Sequence, residues 1–167
     1  PRESREPAYE DRIKRTYPIH PELFDRLYEE WSSLERFQRT RGVLRLMSTV
    51  IHALWTGDDS SPLIMPGSIP LAVGRVNSEL TSYLQDSWKA VIDADVDGPN
   101  SEPARVDVAK PLFGQRSLTK RLARTVFFGA VPTIGSAHKG LEVQRVFLGT
   151  ARPDDTPGNF HAALTQL

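Results

Sequence analysis

Residues 37–55 constrain the fold of this 167-residue chain most, because their apolar side chains recur at the spacing of an amphipathic helix. The pattern predicts a helix that opens at Phe37 and runs to about Trp55. Its polar side chains form one narrow stripe: Arg41, Arg45, Ser48 and His52. The wide apolar face predicts that most sides of this helix are buried. The apolar residues are Val43, Leu44, Leu46, Met47, Val50, Ile51, Ala53 and Leu54.

A second amphipathic helix is predicted directly before this one, over 21–33. Pro21 suits the first position of a helix, and Glu22 suits its positive end. Two large amphipathic helices joined by a short polar loop are typical of an antiparallel hairpin, so residues 1–57 are predicted to form a helical, lid-like hairpin. One buried cluster is expected between the two helices. Its predicted members are Trp31, Leu44, Met47, Ile51 and Leu54.

Residues 58–167 are predicted to form an adaptor subdomain of helices plus short strands, so the chain as a whole is predicted to be mainly α. Helices are predicted over 77–93, 117–129 and 157–167, the first of them with a break at Asp86. The β-branched segment Val143–Thr150 predicts a strand, and the Asp-, Pro- and Gly-rich segment 93–114 predicts a long loop. Leu63–Leu71 is expected to be a short edge strand or an extended segment. A winged-helix-like arrangement is one alternative for this half.

The ends of the chain and its composition restrict the class of protein. The chain starts at Pro1 without methionine and stops inside a predicted helix, so we expect an excised piece of a longer protein that is truncated at its C-terminus. The 21 basic residues balance the 21 acidic ones, and cysteine is absent. No apolar run approaches the ~20 residues that span a bilayer. We therefore expect a cytoplasmic protein without a membrane partner.

Arg41 and Arg45 lie four residues apart on the predicted helix, where like charges repel unless an anion or a carboxylate sits between them. A pair of arginines on a well-packed helix is therefore a candidate phosphate site. The alternative is that a nearby carboxylate neutralises them. The sequence offers Glu29, Glu30 and Glu35 for that role.

A second basic group lies on the predicted helix over 117–129. Its outer face is expected to carry Arg116, Lys120, Arg121 and Arg124, which could contact nucleic-acid phosphates. No exposed aromatic side chain is expected nearby for base stacking. A plain solvated face is the alternative.

Motifs for independent catalysis are missing from the sequence. There is no Gly-x-x-x-x-Gly-Lys-Ser/Thr phosphate loop, and the segment Gly135–Gly140 contains similar residues in the wrong order. No Gly-x-Ser-x-Gly turn is present, and no histidine has a second ligand at metal-binding spacing. We therefore predict no catalytic residue and no metal ligand.

Two runs of residues carry a resemblance to a known family. Tyr17–Tyr28 and Leu34–Met47 resemble segments of large bacterial ATPases of the AAA+ type that carry a domain of unknown function. The similarity continues through Pro62–Gly67 and Leu118–Phe128, so it covers most of the chain. More distantly, the chain is similar to ATPase components of phage-exclusion defence systems. The resemblance implies an upstream P-loop ATPase core as partner, with ATP and magnesium bound in the full-length protein and no cofactor bound by this piece alone.

The resemblance also suggests roles for two arginines. AAA+ lids bear a Gly-x-x-Arg sensor motif whose arginine reaches the terminal phosphates of the nucleotide, and Gly42-Val-Leu-Arg45 looks like it. Arg45 is then the sensor, while Arg41 acts as an arginine finger toward a neighbouring subunit or braces Arg45. The leading hypothesis is a piece of an ATPase that senses nucleotide and couples its state to a partner. A DNA- or RNA-binding module, and a structural domain that joins subunits into a homo-oligomer, are the alternatives.

Overall fold

The computed structural model describes residues 1–135, 137, 140–153 and 155–167, and within these residues the chain is built from ten α-helices. They are α1 (Pro7–Thr16), α2 (Pro21–Asp25), α3 (Thr40–Thr56), α4 (Gly74–Thr81), α5 (Trp88–Val91), α6 (Glu102–Ala109), α7 (Pro111–Gly114), α8 (Leu118–Ala130), α9 (Val143–Thr150) and α10 (Pro157–Leu164). Two π-helical segments, Arg26–Glu30 and Ile92–Val96, directly extend α2 and α5. Short 3₁₀ helices occur at Arg2–Arg5, Trp31–Ser33, Glu35–Phe37, Pro66–Ser68 and Val131–Thr133. The mainly α class is confirmed.

The two helices of the predicted hairpin are both present. The helix over 21–33 starts with α2 and continues through the π-helical and 3₁₀ segments to Ser33. The imidazole Nδ1 of His20 caps it by accepting a hydrogen bond from the backbone N–H of Glu22 at 3.1 Å. The next helix, α3, begins at Thr40 rather than Phe37, because Gln38 and Arg39 have φ angles of 57° and 50° and turn the chain sharply.

Two predictions for the second half are wrong. Residues 93–114 were expected to be a long loop, but they include the end of a π-helical segment, α6 and α7. The reason is local, since the Ser101 hydroxyl caps α6 by accepting from the N–H of Ala104. Val143–Thr150 is helix α9 and not a strand. Its packing on α8 overrides its β-propensity, because the Thr125 hydroxyl donates to the carbonyl of Gly149 and accepts from the Thr150 hydroxyl.

Extended structure is minimal in the part of the chain that the structure describes. The one pairing there is an isolated parallel bridge between Ile19 and Ile64. The segment Leu63–Leu71 is therefore the extended alternative and not an edge strand, with a 3₁₀ turn at Pro66–Ser68. The described residues form no strand, so they give no support to the winged-helix-like alternative for the second half. The predicted helix over 77–93 is two helices, α4 and α5, and the gap between them includes the predicted break at Asp86.

The main hydrophobic core draws on both predicted halves of the chain. The indole N–H of Trp31 donates to the carbonyl of Phe128 at 2.8 Å, and the two rings pack with centroids 4.9 Å apart. The main core therefore has members on both sides of the boundary predicted between residues 57 and 58, and the division of the chain there stays a prediction. The largest fully buried core side chains are Leu23, Leu27, Trp31, Phe37, Leu46, Ile69, Leu71, Leu80, Ile92 and Phe128. A smaller cluster contains Phe113, Leu118, Leu122, Val146, Phe160 and Ala163.

The burial predicted for α3 is wrong at two positions. Trp31 and Met47 lie in the main core as expected, and Leu54 packs against it half-buried. Leu44 and Ile51, however, are 65% and 46% exposed. The neighbouring elements cover one side of α3 only, so the apolar residues that point away from the core remain in solvent.

Candidate functional site

The outward face of α3 carries both of the arginines singled out from the sequence. Arg41 and Arg45 are exposed, as are Ser48 and His52 of the same stripe. The exposed Leu44 lies between the two arginines in sequence. Arg41 is in the first turn of α3, at the end of the helix where the dipole is positive and favours an anion. The predicted stripe is therefore an open surface rather than a polar line sealed in a core.

Arg45 has one carboxylate partner, and it is none of the three proposed from the sequence. Its Nη2 donates to Glu79 Oε2 of α4 at 3.1 Å, while 57% of the Arg45 side chain remains exposed. Glu79 is 34 residues away in the sequence, so nothing in the local pattern indicated it. Of the proposed glutamates, Glu30 pairs instead with Arg26.

Tyr83 supports the other side of the same carboxylate. Its hydroxyl donates a hydrogen bond to Glu79 Oε1. Burial, together with the hydrogen bond to Glu79 and its charge, raises the pKa of Tyr83 well above its ordinary value. The phenol therefore stays protonated, and Glu79 accepts from a neutral donor on one oxygen and from Arg45 on the other.

The guanidinium of Arg41 is exposed. In the part of the chain that the structure describes, its side chain makes no ion pair or hydrogen bond, whereas its backbone N–H donates to the carbonyl of Gln38. The two arginines on this exposed face of α3 therefore have a single carboxylate partner, Glu79, in the described residues. This arrangement leaves a net positive charge for an external anion.

Gly42 of the Gly-x-x-Arg sequence has a structural reason to be glycine. A Cβ placed there would lie 1.8 Å from the carbonyl oxygen of Phe37, which the preceding 3₁₀ turn presses against α3. The glycine therefore allows the close approach of the turn to the helix. Within this motif Gly42 and Val43 are buried, whereas Leu44 and Arg45 face outward.

In the second basic group, Lys120 and Arg124 contact a buried carboxylate instead of facing solvent alone. Both reach Asp97, whose side chain is fully buried: Lys120 Nζ lies 3.0 Å and Arg124 Nη2 2.6 Å from Asp97 Oδ1. Asp97 Oδ2 accepts in addition from the backbone N–H of Ala72 at 2.9 Å. These two cations therefore tie α8 to the chain segments around Ala72 and Asp97.

The prediction that Arg121 lies on an outer face is wrong. Its side chain is 2% exposed and forms a two-pronged pair with Asp155 at 2.8 and 3.2 Å. It also donates to the carbonyls of Arg116 and Thr150. Burial alone raises the pKa of Asp155, but hydrogen bonds from Arg121 and from the N–H of Arg152, with the Arg121 charge, bring it below its ordinary value.

Arg116 is the most exposed of the four predicted nucleic-acid contacts. Its side chain is 45% exposed, donates to the carbonyl of Pro153 at 2.5 Å and lies 3.9 Å from Asp155. The structure thus separates the two basic groups: α3 presents its arginines to solvent, and α8 directs its cations at Asp97 and Asp155. A nucleic-acid role for residues 116–124 stays a prediction, and it would have to compete with these internal carboxylates.

Other candidate sites are not developed in the described residues. There, no three His, Asp or Glu side chains come together in a way that could hold a metal ion. The described helices include none that is long and apolar enough to cross a membrane. The segment Gly135–Gly140 lies partly outside the described residues. The location of the protein in the cell stays a prediction.

A known family matches most of the chain. The model of a family described as "DUF499 second domain", a domain of unknown function, matches residues 4–143, which is most of the chain. The chain therefore belongs to this family. No curated protein and no solved structure matches it.

Proposed function

We propose that this DUF499 second domain is the nucleotide-sensing and coupling part of an AAA+-like ATPase. In this proposal Arg45, assisted by Arg41, faces the terminal phosphates of ATP held by a P-loop core. The observation that carries the proposal is the availability of these two side chains. Arg41 has no partner in the described residues, and Arg45 keeps 57% of its side chain exposed beside its one partner, Glu79, whereas the cations of α8 pair with internal carboxylates.

The chemistry of arginine suits this role. Its guanidinium is planar, always charged and able to donate two parallel hydrogen bonds to phosphate oxygens. The Arg45 side chain is 57% exposed, so a phosphate can reach its guanidinium, although the Glu79 side chain is itself only 15% exposed. Glu79 keeps the hydrogen bond from the Tyr83 hydroxyl when Arg45 turns to a phosphate, so a multiply charged phosphate competes with a carboxylate that retains one donor. The N-terminal end of α3 adds a favourable dipole beside Arg41.

Coupling to a partner would use the contacts behind Arg45. Glu79 links Arg45 to Tyr83, and the Tyr83 ring packs edge-on against Phe37 with centroids 4.8 Å apart. Release of Glu79 by a phosphate would therefore act on the junction of α4 and the turn that precedes α3. ATP and magnesium belong to the P-loop core in this proposal, and the present chain contributes the arginines.

The experiment is steady-state ATP hydrolysis by the ATPase that carries this domain. Arg45→Ala is expected to lower kcat by 10³-fold or more, on the order of the effect of a positioned arginine in phosphoryl transfer. Arg45→Lys is expected to recover only part of the rate, because an ammonium lacks the planar fork. Arg41→Ala separates its two roles: a similar loss indicates a shared anion site or a finger, and an unchanged rate makes Arg41 structural.

Arg105→Ala is the matched control. Arg105 is an arginine with one exposed carboxylate partner, Glu102, at 2.6 Å on α6. Its replacement is expected to leave hydrolysis unchanged. Wild-type kcat and wild-type ATP affinity in a folded Arg45→Ala protein would refute the sensor assignment.

A further inference from the structure

Three large apolar side chains on the outward face of α3 stay exposed in the described part of the chain. Leu44 is 65%, Ile51 46% and Trp55 84% exposed. Together with Ser48, they occur at steps of four, three and four residues, which is the spacing of the contact seam between two packed helices. Three large apolar side chains in one line on one helix form a surface that association would remove from water.

Opposite charges lie at the two ends of this line. Arg41 stands at the N-terminal end, where the helix dipole is positive. Asp58 follows the C-terminal end, where the helix dipole is negative, and its exposed side chain has no ion pair or hydrogen bond in the described residues. The face is therefore cationic at one end and anionic at the other.

We propose that two copies of this chain associate through α3, with the two helices antiparallel about a two-fold axis near Ser48 and Ile51. In this register Leu44 packs on the partner's Trp55, and Ile51 packs beside the partner's Ser48. Arg41 comes close to the partner's Asp58, and each helix N-terminus lies beside a helix C-terminus. One surface patch serves both copies, as a two-fold interface requires.

Charge selects a second copy in this orientation. A parallel pair would place Arg41 against the partner's Arg41 and one positive helix end against another, which is unfavourable. The antiparallel pair brings each Arg41 close to the partner's Asp58, so both charges are matched without any other protein. An acidic helix from a different protein would match Arg41 but would meet Asp58 with like charge.

The size of the surface sets the strength of the association. α3 has 17 residues, so it is about 25 Å long at 1.5 Å per residue. A single helix–helix contact of this length falls at the low end of specific interfaces, below about 1,200 Å². We therefore expect a weak dimer with a Kd on the order of micromolar, visible only as a concentration-dependent equilibrium.

The dimer does not depend on the proposed nucleotide role. Both use the outward face of α3, so one copy cannot engage a nucleotide-bound core and a second copy there at the same time. The two proposals can be refuted separately. An ATPase insensitive to Arg45→Ala would refute the sensor role but not the dimer, and a chain that stays monomeric would refute the dimer but not the sensor role.

The test is sedimentation equilibrium of the 167-residue chain without nucleotide, from about 1 µM to about 300 µM. A monomer–dimer equilibrium is expected, weakened at least ~10-fold by Trp55→Ala and by Leu44→Ser. Leu112→Ser is the matched control, because Leu112 is 76% exposed on α7, away from α3. It should leave the dimer intact, and circular dichroism should show that all variants are folded.

A second pair of variants tests the register. Arg41→Glu should weaken the dimer by bringing two carboxylates together, and adding Asp58→Asn should restore part of the affinity. Asparagine is chosen because Asp58 has a φ of 53°, which asparagine tolerates. A chain that is monomeric throughout, or a dimer insensitive to Trp55→Ala, overturns the proposal. Failure of Asp58→Asn to rescue Arg41→Glu overturns the antiparallel register.

Discussion

Removal of the Asp155 carboxylate is expected to be among the most damaging single changes in this chain. Arg121 is 2% exposed, and its guanidinium donates two hydrogen bonds to Asp155. Asp155→Ala leaves that buried charge without its counter-ion, and it also removes the acceptor for the N–H of Arg152. Loss of one partner of a buried ion pair typically costs about 3–5 kcal/mol, which is a large share of the ~5–15 kcal/mol that stabilises a domain.

Urea unfolding, followed by circular dichroism at neutral pH, measures this cost. Glu102→Ala is the matched control, because it removes the carboxylate of an exposed ion pair. In that pair 69% of the Arg105 side chain and 56% of the Glu102 side chain are exposed. It should change the free energy of unfolding by no more than about 0.5 kcal/mol. In the double variant Arg121→Met/Asp155→Leu, much of the loss should be recovered, because neither charge remains buried.

The pH dependence of the Asp155 contribution has a fixed sign. The pKa of Asp155 is lowered in the folded chain, so its contribution is fully present above its ordinary pKa of 3.8 and is lost as the pH falls through the folded-state value. A cost of less than about 1 kcal/mol for Asp155→Ala would show that Arg121 is hydrated and that its charge does not depend on Asp155.

Three further outcomes are expected. Leu46→Ala should destabilise the chain by about 2–5 kcal/mol and Leu44→Ala by no more than about 0.5 kcal/mol, because Leu46 is fully buried and Leu44 is exposed; equal losses in urea unfolding would contradict this orientation of α3. Gly42→Ala should cost more than about 2 kcal/mol through the clash with the carbonyl of Phe37, while Gly158→Ala, with no atom within 4 Å of the new Cβ, should be neutral or slightly stabilising. Burial and, secondarily, the Arg12 charge lower the pKa of His20 from 6.5 to about 4, so the unfolded chain binds the extra proton first. Up to about 3 kcal/mol of stability should therefore be lost as the pH falls from 6.5 to 4, and His20→Asn, which keeps a helix cap, should reduce that slope.

Local patterns predicted the large helices well. The apolar period over 37–55 placed α3 to within a few residues, and a cap residue marked the start of α10, where the Thr156 hydroxyl accepts from the N–H of Asn159. Such signals are local, since neighbouring residues determine both the helix period and the helix caps. The same period could not separate Leu44 from Leu46, because it does not say which side of a broadly apolar helix the rest of the chain covers.

Contacts between distant residues limited the prediction of the candidate site. Arg41 and Arg45 were placed correctly on one helix, but the partner of Arg45 is Glu79 on α4. The four cations of 116–124 were predicted to form an outer face because the carboxylates that pair with them are distant in the sequence. Asp97 is 27 residues from Arg124, and Asp155 is 34 residues from Arg121. A basic run in a sequence does not show whether its charges meet solvent or buried acids.

Chemical modification of arginine tests most directly whether α3 exposes its arginines while α8 pairs its own with buried carboxylates. The chain is treated with phenylglyoxal at a concentration low enough to keep it monomeric, and modified residues are located by mass spectrometry. We expect Arg41 and Arg45 to react rapidly in the native chain, and Arg121 to react only after unfolding in urea, because its guanidinium is buried against Asp155. Modification of native Arg121 as fast as Arg41, or protection of both α3 arginines, would contradict the account.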